Sequence, residues 1–172
     1  MKEIFERVSV RRFEEKMVED EKIRRVLEAA MCAPTAGNQR AWEFYVVTDR
    51  ETLEELARTS NYSAPAGRAP VAIVVCYRTT KPEKGLDFPE MKEVDCALAT
   101  QNMWLELEHL GLGGVMLGVA PVKERMEHVR KALNLPETLE PFTILPFGYP
   151  AKRHPLAEGR YEEDRVHYVT GK

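Results

Sequence analysis

The stretch Val71–Tyr77, VAIVVCY, is an uninterrupted apolar run that predicts a central β-strand. A strand with one face in water alternates apolar and polar residues, so a continuous apolar run indicates burial on both faces. A layer of structure must therefore cover each side of this strand. The run decides the fold class, because the neighbouring segments of the chain have to supply those two layers.

Strands and helices alternate on either side of this run. Three further strands are predicted at Glu43–Thr48, Val115–Val119 and Phe142–Phe147. Helices are predicted at Lys2–Val8, Asp20–Cys32, Arg50–Arg58, Glu90–Leu110 and Val122–Leu133, the last ended by Asn134 and Pro136. Strands separated by helices predict a layered α+β or mixed α/β fold. The chain has no internal repeat and no linker, so we predict one domain over residues 1–172.

The two longest helices carry different apolar patterns. The first begins at Asp20, a good N-cap residue, and its predicted buried face is formed by Ile23, Val26, Leu27, Ala30 and Met31. In the second, the inner side is predicted at Val94, Leu98, Gln101, Leu105 and residues 107–110. Apolar residues extend well round this second helix, which indicates burial against more than one neighbour.

The glycine cluster Gly111-Leu-Gly-Gly114 follows the long helix. A dinucleotide-binding loop has to follow a strand and open a helix, whereas these glycines end a helix and open a strand. We therefore interpret them as a helix C-cap and a tight turn.

Composition excludes several functional classes. The 172 residues carry a net charge of −3, which argues against a broad basic surface for nucleic acid. No apolar run reaches the roughly 18 residues of a membrane span, and the charged N-terminus MKEIFERVSV is unlike a signal peptide. The cysteines Cys32, Cys76 and Cys96 are odd in number and have apolar neighbours, which predicts buried free thiols. We expect a cytoplasmic protein.

The C-terminal residues form a polar, proline-bearing tail, Lys152–Asp164, followed by the apolar stretch Val166–Val169 (VHYV). That stretch predicts a short strand, and a strand isolated at the end of an arm is not stable alone. We expect it to join a sheet edge of its own chain or of a partner, as a dimer-forming arm. The alternative is a disordered terminus.

Two short segments near the N-terminus carry the chemistry. Arg7-Val-Ser-Val-Arg11 places two guanidinium groups and a hydroxyl within five residues, a donor set that suits a phosphate. Pro34-Thr-Ala-Gly-Asn38 is a loop with a hydroxyl and a carboxamide but no charge, which suits the edge of a polar aromatic ring. A phosphate clamp and a ring-edge clamp together indicate a site for flavin mononucleotide (FMN).

Four blocks of the sequence then resemble the nitroreductase family of FMN-dependent oxidoreductases, in the same order. Arg7-Val-Ser-Val-Arg-Arg-Phe13 resembles its R-x-S-x-R-x-F opening, and Pro34-Thr-Ala-Gly-Asn-Gln-Arg-Ala-Trp42 is similar to its P-S-x-x-N-x-Q-P-W loop. The third block corresponds to Leu110–Gly114 leading to Leu117-Gly118. The closing block corresponds to Gly148-Tyr-Pro-Ala151, Arg160 and Val166-His-Tyr168. The resemblance implies a three-layer α/β/α fold of the α+β class, with a mixed, mainly antiparallel sheet and a C-terminal arm exchanged in a homodimer.

The resemblance also implies the cofactor-binding residues. Arg7, Ser9 and Arg11, with the adjacent Val8, would hold the FMN phosphate together with Arg160, for which Lys152 and Arg153 are competing candidates. The flavin ring would contact residues of the partner subunit's loop and further residues of the same chain: Pro34, Thr35, Ala36 and Asn38 from the loop, then Asn61, Leu117 and Gly118. Surface ion pairs with Glu3, Glu6, Glu14 or Glu15 are the alternative for Arg7 and Arg11, and a simple turn is the alternative for Asn38.

The implied activity is hydride transfer from NADH or NADPH through FMN to an electron-poor acceptor such as a nitroaromatic or a quinone, with ping-pong kinetics. In that case the cofactor carries the chemistry, and no catalytic side chain is expected. The alternatives are a flavoprotein of the same fold with other chemistry, such as dehalogenation or flavin fragmentation, and a non-catalytic flavin-binding homodimer.

The chain departs from the family pattern at Arg40-Ala41, where glutamine and proline are usual, and at Thr35, where serine is usual. Arg40 could favour anionic substrates or a reduced-flavin anion, or it could be solvated. The segment between Tyr77 and Met91 is short, which implies an open pocket or one completed by other segments.

Overall fold

The computed structural model of the protein describes residues 2–152 and 159–170. The helices are α1 (Glu3–Glu6), α2 (Asp20–Met31), α3 (Arg50–Leu56), α4 (Lys92–His109) and α5 (Lys123–Leu133). The strands are β1 (Trp42–Val47), β2 (Val71–Arg78), β3 (Gly113–Gly114), β4 (Leu117–Gly118) and β5 (Leu139–Gly148). No helix in this described part is long and apolar enough to cross a membrane.

The sheet is built on β2, as the apolar run predicts. Its strand order is β1-β2-β5-β3, with β4 also paired to β5, and all of these pairings are antiparallel. One parallel bridge, Ser9 to Gly114, brings the N-terminal segment onto the edge at β3. The sheet is therefore mixed but mainly antiparallel.

Two hydrophobic cores lie on opposite faces of the sheet. Alternate residues of β2 point into each, Ile73 and Val75 into one and Val74 and Cys76 into the other, and all are fully buried. The first core is closed by α2 and α4, and the second by α3 and α5. The result is a three-layer α/β/α arrangement, which confirms the predicted fold class.

The end of α4 has the geometry predicted for the glycine cluster. Gly111 has φ +71°, in the left-handed region that favours glycine. The amide of Gly111 donates to Glu108 O at 3.1 Å, and the amide of Leu112 donates to Leu107 O at 2.8 Å. These two bonds form a Schellman motif, which ends the helix and turns the chain into β3.

The buried face of α4 differs from the predicted one. Val94 and Leu98 are exposed, and Asp95, Ala99 and Met103 are buried instead. Leu107 is buried as predicted, and α4 packs against α2 and against the sheet, which confirms that it has more than one neighbour. In α2, Val26 and Ala30 are buried as predicted, whereas Met31 is exposed.

Smaller corrections concern element ends and thiols. The first helix is only one turn, Glu3–Glu6, and Glu19 rather than Asp20 is the N-cap of α2. Within the strand predicted at Val115–Val119 only Leu117–Gly118 is a strand (β4), and a separate short strand, β3, precedes the predicted range; the two pair with different parts of β5. Cys76 and Cys96 are buried free thiols, whereas Cys32 is exposed.

The C-terminal strand prediction is wrong for the single chain. Val166–Val169 forms no strand and follows a 3₁₀ turn at Glu163–Arg165. Residues 153–158 of the predicted arm lie outside the described residues. Tyr168 and Val169 are 82% and 98% exposed, so no sheet edge of the same chain receives them.

Gly148 provides a test of packing where β5 ends. A Cβ atom there would lie 2.8 Å from Pro70 Cδ and 2.9 Å from Pro70 Cγ, and a proline ring cannot swing aside. We expect Gly148→Ala to lower the free energy of unfolding by about 1–3 kcal/mol, measured by urea denaturation. Gly118→Ala is the matched control, because a Cβ there meets nothing within 4 Å. Equal stability of the two variants would contradict this packing.

Candidate cofactor site

The N-terminal segment reaches the sheet because β3 consists of two glycines. The amide of Val10 donates to Gly114 O at 2.9 Å, and the Val10 side chain is 3% exposed. A Cβ on Gly113 would lie 2.4 Å from Val10 Cγ2, so only glycine admits the segment at this distance. The two glycines therefore position Arg7–Arg11, a function that the helix-cap interpretation did not include.

Arg7 is half-buried and lacks a full set of partners. Its Cζ atom lies 4.0 Å from the centroid of the Trp104 ring, a cation–π contact. Its Nη1 is buried and has no hydrogen-bond partner among the described residues. Burial lowers the pKa of Arg7, and the positive charge of Arg160 lowers it further, while Glu108 acts in the opposite direction.

An unpartnered guanidinium nitrogen beside a second cation is the environment of an anion-binding site. The positive charge of Arg160 lowers the pKa of Arg7 although the two residues are far apart in the sequence. Of the competing tail cations, Arg153 lies outside the described residues. Two carboxylates offered as surface partners are engaged elsewhere, since Glu3 pairs with His109 at 3.0 Å and Glu6 with Lys2 at 3.9 Å.

The other residues of the predicted clamp follow Arg7 in the chain. Val8 and Ser9 are half-buried, and the Ser9 carbonyl accepts a long hydrogen bond, 3.4 Å, from Arg11 Nη1. Arg11 is exposed and extends into a neighbouring cleft of about 440 Å³. This arginine cleft is lined by Arg11, Ser60, Tyr62, Pro65, Arg68, Val115, Met116, Leu117, Gly118 and Arg125.

The Leu117-Gly118 peptide forms one wall of the arginine cleft. The hydroxyl of Thr143 donates to Leu117 O at 2.8 Å, and Arg125 Nη1 donates to Gly118 O at 3.0 Å. A Cβ on Gly118 would meet nothing within 4 Å, so the backbone there is open to a ligand. The predicted Asn61 is exposed and is not among the cleft residues, although its neighbours Ser60 and Tyr62 are.

The Pro34–Asn38 loop is held by a buried carboxylate on α4. Asp95, 1% exposed, accepts hydrogen bonds from Thr35 Oγ1 at 2.6 Å, from the Ala36 amide at 3.0 Å and from Gln39 Nε2 at 2.8 Å. Gln39 is equally buried, and its side chain also exchanges two hydrogen bonds with the backbone of Phe88. One carboxylate thus fixes the loop, and Gln39 connects it to the segment before α4.

The backbone of this loop is strained. Gly37, Asn38 and Arg40 all have positive φ, at 53°, 57° and 45°. The Arg40 amide donates to Thr35 Oγ1 at 3.0 Å, and Arg40 Nε donates to Asn38 Oδ1 at 2.9 Å. Arg40 is therefore not simply solvated, since its guanidinium is held beside the carboxamide that is predicted to contact the flavin.

The two predicted halves of the site are separate in the single chain. Asn38 and Arg40 line a second cleft, with Gln39, Arg78, Glu83 and Lys84, and none of these residues lines the arginine cleft. Pro34 is exposed and Ala36 half-buried. The structure therefore brings Arg11, Leu117 and Gly118 to the arginine cleft, whose lining does not include Arg7, and places the loop at the second cleft.

Four side chains at these sites were not predicted from the sequence. Asp95 and Gln39 hold the loop, and Arg68 and Arg125 line the arginine cleft. A charged residue on the buried side of a helix indicates that it has a polar partner, but the apolar pattern of α4 predicts a different buried face, which does not include Asp95. Arg68 lies on a short turn and Arg125 on α5. An arginine at such a position is common on protein surfaces, so it does not by itself indicate a binding site.

Comparison with known proteins assigns the family. The model of the Nitroreductase family matches residues 4–65 and 57–149, so the chain belongs to the nitroreductase family. A relative from Methanothermobacter thermautotrophicus, provisionally named NADH dehydrogenase/NAD(P)H nitroreductase, is 40% identical over 161 residues. That alignment covers 94% of this chain and 82% of the relative.

Solved structures agree with this assignment. A protein from Clostridium acetobutylicum, provisionally named NADH oxidase, has a TM-score of 0.91 and 38% identity, and the match covers 98% of this chain and 99% of the other. An FMN-dependent nitroreductase from Clostridium difficile has a TM-score of 0.89 and 25% identity, with 98% of each chain covered.

The predicted phosphate clamp implies that Arg11 contributes to FMN binding and that its neighbour Arg12 does not. We expect Arg11→Ala to weaken FMN binding by about 1.5–3 kcal/mol, roughly 10- to 100-fold in Kd, because a charged hydrogen bond is lost. Arg12→Ala is the matched control, being the adjacent exposed arginine. Both are measured by equilibrium titration of flavin-free protein with FMN. An unchanged Kd for Arg11→Ala would mean that the phosphate lies elsewhere.

The hydrogen bonds between Asp95 and the Pro34–Asn38 region predict that this carboxylate stabilises the loop. We expect Asp95→Asn to lower the free energy of unfolding by about 1–3 kcal/mol. The asparagine amide nitrogen is a donor, so it would replace a carboxylate oxygen that accepts a hydrogen bond in the wild-type protein and would leave that partner without an acceptor. The variant should also be cut faster by trypsin after Arg40. Glu90→Gln, an exposed carboxylate just before α4, is the control and should behave as wild type in both assays. Wild-type stability and cleavage in Asp95→Asn would refute the role.

Proposed function

We propose that the protein is an NAD(P)H-dependent FMN oxidoreductase that reduces electron-poor acceptors such as nitroaromatics or quinones. The observation that carries the proposal is the buried, unpartnered Nη1 of Arg7 beside the charge of Arg160. A phosphate monoester carries nearly two negative charges near neutral pH, and it would supply the acceptor that this nitrogen lacks. The nitroreductase and FMN-dependent relatives point to the same cofactor and reductant.

The residues present fit FMN at both ends. Arg7, Ser9, Arg11 and Arg160 would hold its phosphate, with Val8 alongside. The open backbone at Leu117-Gly118 would lie against its ring. When bound, FMN supplies two-electron transfer between a reduced nicotinamide and an acceptor that use the site in turn, which gives ping-pong kinetics.

The side chains contribute positioning and charge. The cation–π contact with Trp104 holds the Arg7 guanidinium over the ring, so that the donor is in place before a ligand arrives. Thr143 and Arg125 occupy the carbonyls of Leu117 and Gly118, which fixes the peptide that faces the cleft. Preorganised donors and positive charge in a cleft favour developing negative charge on a bound ligand.

The proposal includes a homodimer in which the partner's loop completes the ring site. It is supported by the separation of the two halves within one chain and by the exposed apolar side chains Val94 and Leu98 on α4. The exposed Tyr168 and Val169 at the C-terminus suit an arm that packs on a second copy.

The test is the absorption spectrum of the purified, untagged protein, with mass spectrometry of the compound that heat releases. We expect a yellow protein that releases FMN and oxidises NADH or NADPH with a quinone acceptor. A colourless protein that also fails to bind added FMN would overturn the proposal. Bound FMN without turnover would favour the non-catalytic alternative, and halide release or loss of the cofactor would favour the other flavin chemistries.

A further inference from the structure

The arginine cleft contains more positive charge than a flavin phosphate clamp uses. Arg11, Arg68 and Arg125 all line it, and its lining includes no Asp or Glu among the described residues. In the same part of the chain, none of the three forms an ion pair: Arg11 bonds only to Ser9 O and Arg125 only to Gly118 O. Arg11 would be offset by the FMN phosphate of the proposed clamp, which leaves Arg68 and Arg125 as two guanidinium groups without a counter-charge, and such a pair attracts an anion.

Arg68 reaches this cleft from a turn whose backbone is fixed. It ends the 3₁₀ turn Ala66–Arg68, and Arg50 donates to the carbonyls on both sides of it, to Gly67 O at 2.6 Å and to Ala69 O at 3.4 Å. Gly67 packs closely on α3, since a Cβ there would lie 3.0 Å from Ala57 Cβ. The exposed Arg68 side chain therefore extends from a rigid support rather than from a loose loop.

Arg125 lines the cleft from a different element, α5. Its hydrogen bond to Gly118 O uses one Nη1 position, and a guanidinium has five N–H donors, so most of them remain for a ligand. The phosphate clamp, by contrast, is built from the N-terminal segment and the tail. Arg68 and Arg125 thus belong to different elements from Arg7 and Arg160.

We propose that Arg68 and Arg125 form an oxyanion subsite that binds a carboxylate or phosphate group of the substrate beside the Leu117-Gly118 peptide. The proposal rests on the proposed function and narrows it to substrates that carry a negative charge near the reacting group. The charge belongs either to the acceptor or to the reductant, whose extra phosphate distinguishes NADPH from NADH. A guanidinium pair suits either group, because both present oxygens for bidentate hydrogen bonds.

The experiment compares charged and neutral substrates in three proteins: wild type, Arg68→Gln and Arg24→Gln. Arg24 is the matched control. It is an exposed arginine on α2 that pairs with Glu28, and neither residue lines the arginine cleft. The acceptor arm compares kcat/KM for 4-nitrobenzoate and 4-nitrobenzyl alcohol, and the reductant arm compares NADPH and NADH. Binding of 4-nitrobenzoate and of NADP⁺ is also measured by titration calorimetry, which does not depend on turnover.

We expect wild type and Arg24→Gln to prefer the charged member of one pair. Arg68→Gln should lose this preference by about tenfold, with a matching rise in the Kd of the charged ligand. Salt should weaken the preference in wild type between about 20 mM and about 200 mM, as screening requires. The arm that responds identifies whether the acceptor or the reductant carries the charge.

Two results would overturn the subsite. One is equal selectivity and equal ligand Kd in Arg68→Gln and wild type. The other is a loss of FMN affinity in Arg68→Gln with selectivity unchanged, because Arg68 would then belong to the cofactor site. Failure of the proposed function gives a different result, since wild type and Arg24→Gln would then bind no FMN, and calorimetry would still decide whether the cleft binds the anion.

Discussion

Burial of β2 on both faces is the constraint on which the rest of the structure depends. Ile73 and Val75 require one helical layer and Val74 and Cys76 require another, so neither face of the sheet is available to a ligand. Burial also raises the pKa of the Cys76 thiol to about 12, which makes it a packing residue rather than a nucleophile. Ligand sites therefore have to lie at the edges of the sheet and in the loops, and the arginine cleft lies at the edge formed by β3 and β4.

Those edge strands are short and rich in glycine, and this composition allows two different close approaches. At Gly113 the missing side chain admits Val10 of the N-terminal segment, which positions the arginines of that segment. At Gly118 the missing side chain leaves open space in the arginine cleft. One strand edge thus positions the cations and also exposes the backbone that a planar ligand can approach.

The sequence was sufficient for the layers, because they depend on a local pattern, and the phosphate clamp stays a prediction from a second local pattern. The apolar run of β2 indicates its burial directly, and the cluster Arg7–Arg11 indicates an anion by composition alone. The buried face of α4 was assigned incorrectly because apolar residues occur on several of its sides. In one chain the side with Asp95 is covered, while Val94 and Leu98 stay exposed. Asp95 could not be recognised as the support of the loop, since its partners Thr35 and Gln39 lie about sixty residues away.

The two clefts differ in how far the positive charges that line them are offset by other groups. In the loop cleft Arg78 pairs with Glu43 at 2.9 Å, Glu83 also lines the cleft, and Arg40 bonds to the neutral carboxamide of Asn38. In the arginine cleft no described carboxylate offsets Arg11, Arg68 or Arg125, although the whole chain carries a net charge of −3. Concentrating uncompensated cations in one cleft of an acidic protein costs stability through repulsion, and a bound anion removes that cost. The arginines of this cleft therefore favour an anion beside Leu117-Gly118.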